Sequence, residues 1–160
     1  MIAIVAAAEN GGIGYRGGLL FSLPTDMKHF RTCTEGKTVI MGRKTLDSLP
    51  KGQPLKNRRN IVLTRGDVSV PGAEVVNSVE EALRLVEGEE EDAVFLIGGE
   101  QVYRALLPYC RKVCMTRVFA APPADAFFPE MSGEEWKITR ESEIFCENGV
   151  SFRFVDYERL

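Results

Sequence analysis

The sequence predicts an α/β fold: a mostly parallel, twisted sheet of about eight strands with helices on both faces. Short apolar segments of strand length alternate with amphipathic helical segments, an order that favours parallel strands joined by crossover helices. The chain then ends in two alternating segments around Asn148-Gly149, which predict an antiparallel C-terminal hairpin. At 160 residues the chain can enclose one core, so we expect a single domain over residues 1–160.

The first half of the chain supplies three predicted buried strands, at Ile2–Ala8, Thr38–Met41 and Asn60–Thr64. A helix is expected to begin at Leu23-Pro24-Thr25, because proline suits the first turn of a helix. The segment Asn10–Leu20 lies between the first strand and this helix and is rich in glycine. It predicts a mobile loop that is long enough to act as a lid.

The second half continues the alternation of strands and helices. Ser78 and Glu81 have the spacing of a capping box, which predicts a helix that begins there and runs to about Val86. A further helix is expected from Gly98-Gly99 to about Leu107. The remaining segments are predicted strands, at Ala73–Val76, Ala93–Ile97, Lys112–Ala120, Trp136–Phe145 and Val150–Tyr157.

Composition and charge exclude several classes of function. The net charge of −3 gives no basic field for a nucleic acid, and no apolar run is long enough to cross a membrane. The four cysteines are irregularly spaced and do not form a CxxC pair, so we expect reduced thiols in a cytoplasmic protein. Because His29 is the only histidine, we expect no metal site built on histidine.

Asp26 is the most informative acidic residue. At roughly 100° per residue it lies on the apolar side of its helix beside Phe30, whereas Lys28 and Arg31 lie on the opposite side. A carboxylate on an apolar face is costly unless it is paired, which indicates a ligand. The alternative is that Asp26 only interacts with the helix dipole in the first turn.

Two junctions between a strand and a helix are candidate phosphate sites, at Val39–Thr45 and Phe95–Tyr103. Their glycines allow a ligand to approach the backbone closely, and free amides at a helix start suit phosphate oxygens. Neither junction matches the GxGxxG fingerprint or a P-loop. Tight packing without a ligand therefore remains the alternative explanation for these glycines.

Three cations favour a phosphorylated dinucleotide. Arg43 and Lys44 follow the second strand, and Arg65 follows the third. If these strands are neighbours, the three side chains meet at one edge of a dinucleotide site, where a 2′-phosphate would need them. This predicts NADPH rather than NADH, although a solvated surface cluster would also place cations there.

The order and spacing of these pieces identify a family resemblance. The chain resembles the dihydrofolate reductases along essentially its whole length, through Ile2–Ala7, Ile13-Gly14, Leu23–Met27, Phe30, Val39–Thr45, Pro54–Arg58, Asn60–Leu63, Ile97–Gly99, Val102-Tyr103, Thr116 and Phe128-Pro129. The resemblance implies a dihydrofolate-reductase-like fold and NADPH-dependent reduction of 7,8-dihydrofolate to tetrahydrofolate. It also implies binding of antifolate-type small molecules, and we expect a monomer.

The resemblance assigns roles to individual residues. The implied catalytic residues are Asp26, Thr116, Leu19 and Phe21. Among them, Asp26 would hydrogen-bond the pterin, and Thr116 would be bridged to that acid. The implied substrate-binding residues are Val5, Ala6, Met27, Phe30, Leu49, Leu55, Arg58 and Ile97, of which Arg58 would pair with a glutamate tail. The implied cofactor-binding residues are Ala7, Ile13, Gly14, Gly42, Arg43, Lys44, Thr45, Leu63, Thr64, Arg65, Gly98, Gly99, Glu100, Gln101, Val102 and Tyr103.

The sequence also departs from the family pattern. Phe21 stands where tryptophan is usual, so an indole donor beside the pterin is absent, and Glu100 stands where glycine or alanine is common. The resemblance implies that Asp125 holds the Asn10–Leu20 lid closed. Two alternatives remain open: an NADPH-dependent pyrimidine reductase of riboflavin synthesis, and a non-catalytic pterin- or nucleotide-binding module.

Overall fold

The structure is a computed structural model that describes residues 1–160. Its helices are α1 (Pro24–Thr34), α2 (Arg43–Ser48), α3 (Val79–Leu85) and α4 (Glu100–Leu106). Its strands are β1 (Ile2–Ala7), β2 (Gly12–Tyr15), β3 (Gly18–Leu19), β4 (Thr38–Gly42), β5 (Arg59–Leu63), β6 (Glu74–Val76), β7 (Val94–Gly98), β8 (Lys112–Val118), β9 (Ala126–Phe127), β10 (Trp136–Glu141), β11 (Phe145–Glu147) and β12 (Val150–Arg159).

The predicted α/β fold with a mostly parallel sheet is confirmed. The central sheet has the strand order β10-β12-β8-β1-β7-β4-β5-β6, and β11 also pairs with β12. From β8 to β6 every pairing is parallel, whereas β12 runs antiparallel to β8. The carboxyl ends of the parallel strands therefore meet at one edge, which is where open α/β sheets bind ligands.

Alternating side chains of the strands build a core on each face of the sheet. On β1, Ala3 and Val5 belong to the larger core, which α3 and α4 cover through residues such as Ala82 and Leu106. Ile2 and Ile4 point into the second core, which Leu46 of α2 and Phe30 and Cys33 of α1 cover. Because both faces are buried, the parallel strands consist of nearly continuous apolar runs.

Local capping signals place α3 as predicted. The Ser78 hydroxyl accepts a hydrogen bond of 3.1 Å from the Glu81 amide, so Ser78 caps the helix. The Glu81 carboxylate reaches back to the amide of Asn77, not to that of Ser78, so only half of a capping box forms. No helix in the protein has the length and apolar character needed to cross a bilayer.

The segment Asn10–Leu20, predicted as a mobile loop, contains regular structure. The segment forms β2 and β3, which join β9 in a separate three-stranded sheet. A Cβ on Gly12 would lie 2.7 Å from the Cβ of Ala124, so this glycine permits a close approach between chain segments. Part of the glycine density that suggested a loop therefore reflects close packing.

The two-strand C-terminal hairpin is also more complex than expected. Asn148 and Gly149 form the predicted turn with positive φ angles of 50° and 78°. However, the preceding strand is split into β10 and β11, which both pair with β12. Between them, the Ser142 carbonyl accepts hydrogen bonds from the Arg153 guanidinium, and its hydroxyl accepts one from the Phe154 amide. These side-chain contacts add to the backbone hydrogen bond of 2.9 Å that the Ser142 amide donates to the Phe154 carbonyl.

The Ser78 cap gives a stability prediction. Ser78→Ala removes the acceptor for the Glu81 amide and should lower the free energy of unfolding by about 1 kcal/mol. Urea unfolding followed by circular dichroism measures the change. Ser69→Ala, at an exposed serine without a side-chain hydrogen bond, is the matched control. Equal unfolding midpoints for the two variants would contradict the assigned cap.

Candidate active site

The centre of the site is a hydrogen bond between Asp26 and Thr116. Asp26 lies in the first turn of α1 and is partly buried. Its Oδ1 accepts a hydrogen bond of 2.6 Å from the hydroxyl of Thr116, a buried residue of β8. On that strand Thr116 lies directly beside Ala6 of β1. The bond therefore ties the helix to the middle of the sheet and fixes where the carboxylate lies.

The surroundings of Asp26 make its carboxyl a weaker acid than that of a solvated aspartate. Burial raises the pKa of the Asp26 carboxyl above its ordinary value, and the nearby Glu147 charge acts in the same direction. The Thr116 hydrogen bond and His29 oppose this shift. The contacts within the protein thus do not fully offset the loss of hydration of the charged carboxylate. Hydrogen-bond donors from a ligand would stabilise that charge.

The sheet opens beside this carboxylate. The ladder between β1 and β7 ends at the pair Ala3 and Leu96, although both strands continue to Ala7 and Gly98. On the other side of β7, the register with β4 shifts so that Ile97 is the additional residue. Bulges of this kind are common next to active sites. The carboxyl-terminal residues of β1 and β7 therefore border an opening between the strands.

Apolar side chains surround the same region. Phe30, Leu49, Leu55 and Ile97 are partly buried and pack against the second core. Met27, one residue after Asp26, is 61% exposed, an unusual exposure for a methionine beside a half-buried acid.

Leu19 of β3 is exposed as well, whereas Phe21 packs against the small cluster of Leu23, Val118 and Phe152.

Arg58 has a buried donor without a partner. Its Nε is inaccessible to solvent and makes no hydrogen bond. Burial lowers the pKa of the guanidinium, an effect that Glu35 partly offsets. The loop that holds it is ordered by the buried Asn60, whose amide bonds the carbonyls of Arg58 and Leu55. Buried donors are rarely left unpaired, so the protein itself does not fully satisfy this guanidinium, whose positive charge suits an anionic ligand group.

The two glycine-containing junctions lie side by side. Met41 of β4 pairs with Gly98 of β7, and a Cβ on Gly98 would lie 3.3 Å from the Thr45 hydroxyl of α2. Gly98 has a φ of 123°, which disfavours any other residue. Gly42 and Gly99 are the N-caps of α2 and α4, and neither helix has a side-chain cap. The glycines thus serve close packing and also leave helix-start amides free for phosphate oxygens.

The three predicted cations follow neighbouring strands. β4 and β5 pair in parallel as far as Gly42 and Leu63, so Arg43 and Thr64 begin the segments just beyond this pair. Arg43 already forms an ion pair of 3.2 Å with Asp47, while Lys44 and Arg65 are exposed. The side-chain amide of Asn77 donates hydrogen bonds to the Thr64 and Gly66 carbonyls and thereby orders the loop that carries Arg65.

The residues that begin α4 differ in what they can offer a cofactor. The buried Tyr103 hydroxyl donates a 2.6 Å hydrogen bond to the Ile4 carbonyl, and Val102 is buried. Both side chains therefore support the junction from the core, whereas Gln101 is exposed. The Glu100 carboxylate accepts from the Phe127 amide at 3.2 Å and pairs with Arg104, so its charge is partly compensated.

The strands that follow β1 are held by Asp125. Its carboxylate accepts a 3.0 Å hydrogen bond from the Arg16 amide, and its own amide donates to the Gly14 carbonyl. Ile13 of β2 is buried in the larger core, to which Ala7 also belongs. These contacts fasten the Asn10–Leu20 segment to the chain just before β9.

Sequence reasoning did not find two residues near Asp26. His29 stacks on Phe154 with ring centroids 4.1 Å apart, and burial lowers its pKa. Glu147 of β11 binds the start of α1. Spacing along α1 places His29 near Asp26, but nothing in the sequence indicates that an acid 121 positions downstream (147 − 26) lies there.

Comparisons with known proteins agree with this geometry. The sequence profile of the family described as dihydrofolate reductase matches residues 1–159. The chain is 41% identical to a dihydrofolate reductase of Neisseria gonorrhoeae over 96% of this chain and 94% of the relative. It is also 41% identical to one of Mycobacterium tuberculosis, over 99% of this chain and 98% of the relative.

A solved structure extends the comparison to the fold. The dihydrofolate reductase from Enterococcus faecalis, complexed with NADP(H) and RAB-propyl, superposes with a TM-score of 0.89 at 33% identity. The match covers 99% of this chain and 95% of the other. The sequence profile, the curated relatives and the shared fold lead to one conclusion: this chain belongs to the dihydrofolate reductase family.

Proposed function

We propose that this chain catalyses the NADPH-dependent reduction of 7,8-dihydrofolate to 5,6,7,8-tetrahydrofolate. The observation that carries the proposal is the Asp26 carboxylate, held by Thr116 beside the opening between β1 and β7. Family membership supports the reaction, and the similar Enterococcus faecalis enzyme was solved with NADP(H). A spectrophotometric assay of NADPH oxidation with dihydrofolate tests it. Tight binding of both ligands without turnover would instead indicate a binding module.

Asp26 is proposed to recognise the substrate by accepting hydrogen bonds from the pterin N3–H and 2-amino group. Those donors would offset the burial that raises the pKa of Asp26. Backbone groups of Val5, Ala6 and Ile97 would border the pterin edge. The rings would lie between the apolar side chains of the site, which are Met27, Phe30, Leu49 and Leu55. Arg58 would pair with the carboxylate of the glutamate tail through its guanidinium.

The reaction adds a hydride to C6 and a proton to N5 of the substrate. NADPH supplies the hydride when it is bound. Asp26 would keep its negative charge against the pterin and so favour the protonated form of the ring in the transition state. We assign the proton itself to a water molecule, because Asp26 is engaged by Thr116 and by the opposite edge of the ring. Leu19 and Phe21 would limit the access of solvent to the reacting atoms.

The two junctions at the sheet edge fit the cofactor. The free amides after Gly42 and Gly99 would bind the diphosphate, with Thr45 between them and Gly98 allowing close approach. Other backbone and side-chain contacts are assigned to Ala7, Ile13, Gly14, Leu63, Gln101, Val102 and Tyr103. The exposed Lys44 and Arg65, with Arg43 and Thr64, would surround a 2′-phosphate.

We further propose that the protein acts as a monomer in the cytoplasm. The reaction can be assigned to residues of one chain, so a second copy is not needed to complete the site. All four cysteines are free thiols, the state expected in a reducing compartment. Size-exclusion chromatography coupled to light scattering tests the monomer.

Replacement of Asp26 tests its role directly. Asp26→Asn should keep the fold and NADPH binding but lower the turnover at pH 7 on the order of a hundredfold. The residual rate of the variant should rise as the pH falls. Without the Asp26 charge to favour the protonated ring, protonation of N5 depends on the proton concentration of the solvent. Glu80→Gln, which replaces another first-turn acid, is the matched control. Turnover of Asp26→Asn close to that of the wild type would refute the assignment.

Arg58 is expected to act on substrate binding. Arg58→Gln should raise the KM for dihydrofolate by about tenfold or more while kcat changes little, because a charge-assisted pair is lost. Steady-state kinetics with dihydrofolate and with a reduced pterin that lacks the glutamate tail separates the two effects. If the variant impairs both substrates equally, Arg58 does not bind the tail.

Glu100 is expected to weaken cofactor binding through its charge. Glu100→Gln keeps an acceptor for the Phe127 amide but removes a negative charge from the start of α4. We expect the Kd for NADPH to fall about threefold at low salt, and the difference to disappear at high ionic strength. Fluorescence titration at two salt concentrations measures both values. An unchanged or increased Kd at low salt would contradict this repulsion.

A further inference from the structure

Helix α1 begins without a cap of its own. Its N-cap residue is Leu23, whose side chain cannot accept a hydrogen bond. Leu23 is buried against Val118 and Phe152, so this position is occupied by a core residue. The free amides of the first helical turn therefore need an acceptor from elsewhere. This is the turn that carries Asp26.

Glu147 provides that acceptor from a distant part of the chain. Its Oε1 accepts a 3.0 Å hydrogen bond from the Thr25 amide, and the Thr25 hydroxyl donates to Oε2. The next residue, Asn148, donates a 2.8 Å hydrogen bond from its side-chain amide to the Ser22 carbonyl. The turn between β11 and β12 therefore holds the residues immediately before Asp26.

The same part of the sheet fixes the other side of Asp26. β11 pairs with β12, and Phe154 of β12 lies beside Thr116 of β8. Thr116 holds the Asp26 carboxylate, while Glu147 holds the backbone one residue earlier. The position of the carboxylate relative to the sheet is thus determined by two contacts from strands that are joined through β12.

Glu147 also acts on Asp26 by charge. It raises the pKa of the Asp26 carboxyl, as burial does, while the Thr116 hydrogen bond and His29 lower it. On α1 itself, the charge that acts on Asp26 is that of His29, and His29 in turn has Asp156 of β12 and Arg140 of β10 as charged neighbours. Removal of the Glu147 charge should therefore make Asp26 more acidic.

We propose that Glu147 is a positioning residue for Asp26, which fixes the first turn of α1 from outside the helix and places a second negative charge near the carboxylate. The kinetic part of this proposal rests on the proposed reductase function. Glu147 touches neither the substrate nor the cofactor in this assignment. Its effect is transmitted through Thr25 and through the local field.

Two variants separate the contact from the charge. Glu147→Gln keeps one acceptor for the Thr25 amide and removes the charge, whereas Glu147→Ala removes both. Glu143→Gln is the control, since Glu143 is an exposed acid near the same turn and its carboxylate makes no hydrogen bond or ion pair. Carbon-13 NMR titration of the Asp26 carboxyl in the ligand-free protein reports the ionisation directly and does not require turnover.

We expect Glu147→Gln to lower the Asp26 pKa by about half a unit with little change in Tm. Glu147→Ala should also lower kcat/KM for dihydrofolate about tenfold while leaving the Kd for NADPH unchanged. The Glu143→Gln variant should match the wild type in both measurements.

A lower Tm for the Glu147 variants with an unshifted titration and unchanged kcat/KM would overturn the proposal, because that combination of results describes a purely structural residue. Absence of turnover in the wild type would instead refute the proposed function, and the NMR titration would still decide the role of Glu147.

Discussion

The hydrogen bond between Thr116 and Asp26 is the contact on which the arrangement of the site depends. It joins the first turn of α1 to β8 beside Ala6, beyond Ala3, where β1 and β7 cease to pair. A carboxylate at such a position loses hydration, and one neutral hydroxyl does not replace it. The protein therefore presents a partly compensated acid beside an opening in its sheet, which suits a ligand that carries several donors on one edge.

The surrounding structure supports this acid from several directions. The two cores fix the sheet and α1, and the β11–β12 turn holds the start of the helix through Glu147. The opening and the glycine junctions lie at the same carboxyl edge of the parallel strands. This common location follows from topology, because parallel strands place all their carboxyl ends together. Recognition of a pterin and of a dinucleotide can thus occur next to each other.

The glycines of this chain led to one incomplete structural prediction and to one useful one. In Asn10–Leu20 the glycine density predicted a loop, but the segment forms strands, and Gly12 leaves no room for a Cβ beside Ala124. At Gly98, by contrast, the positive φ favours glycine, and the nearby Thr45 hydroxyl leaves little room for a side chain. Sequence alone cannot separate these cases, because the neighbouring atoms that exclude a side chain come from distant segments.

The sequence by itself determined the alternation of strands and helices, the Ser78 cap, the Asn148-Gly149 turn and the family resemblance. Each of these depends on local periodicity, on short-range hydrogen bonds or on the order of motifs along the chain. The tertiary structure decided the division of the last hairpin into three strands, the unpaired donor of Arg58 and the contact of Glu147 with Thr25. These features depend on which distant segments meet and on how much solvent they exclude, and neither quantity has a local signature in the sequence.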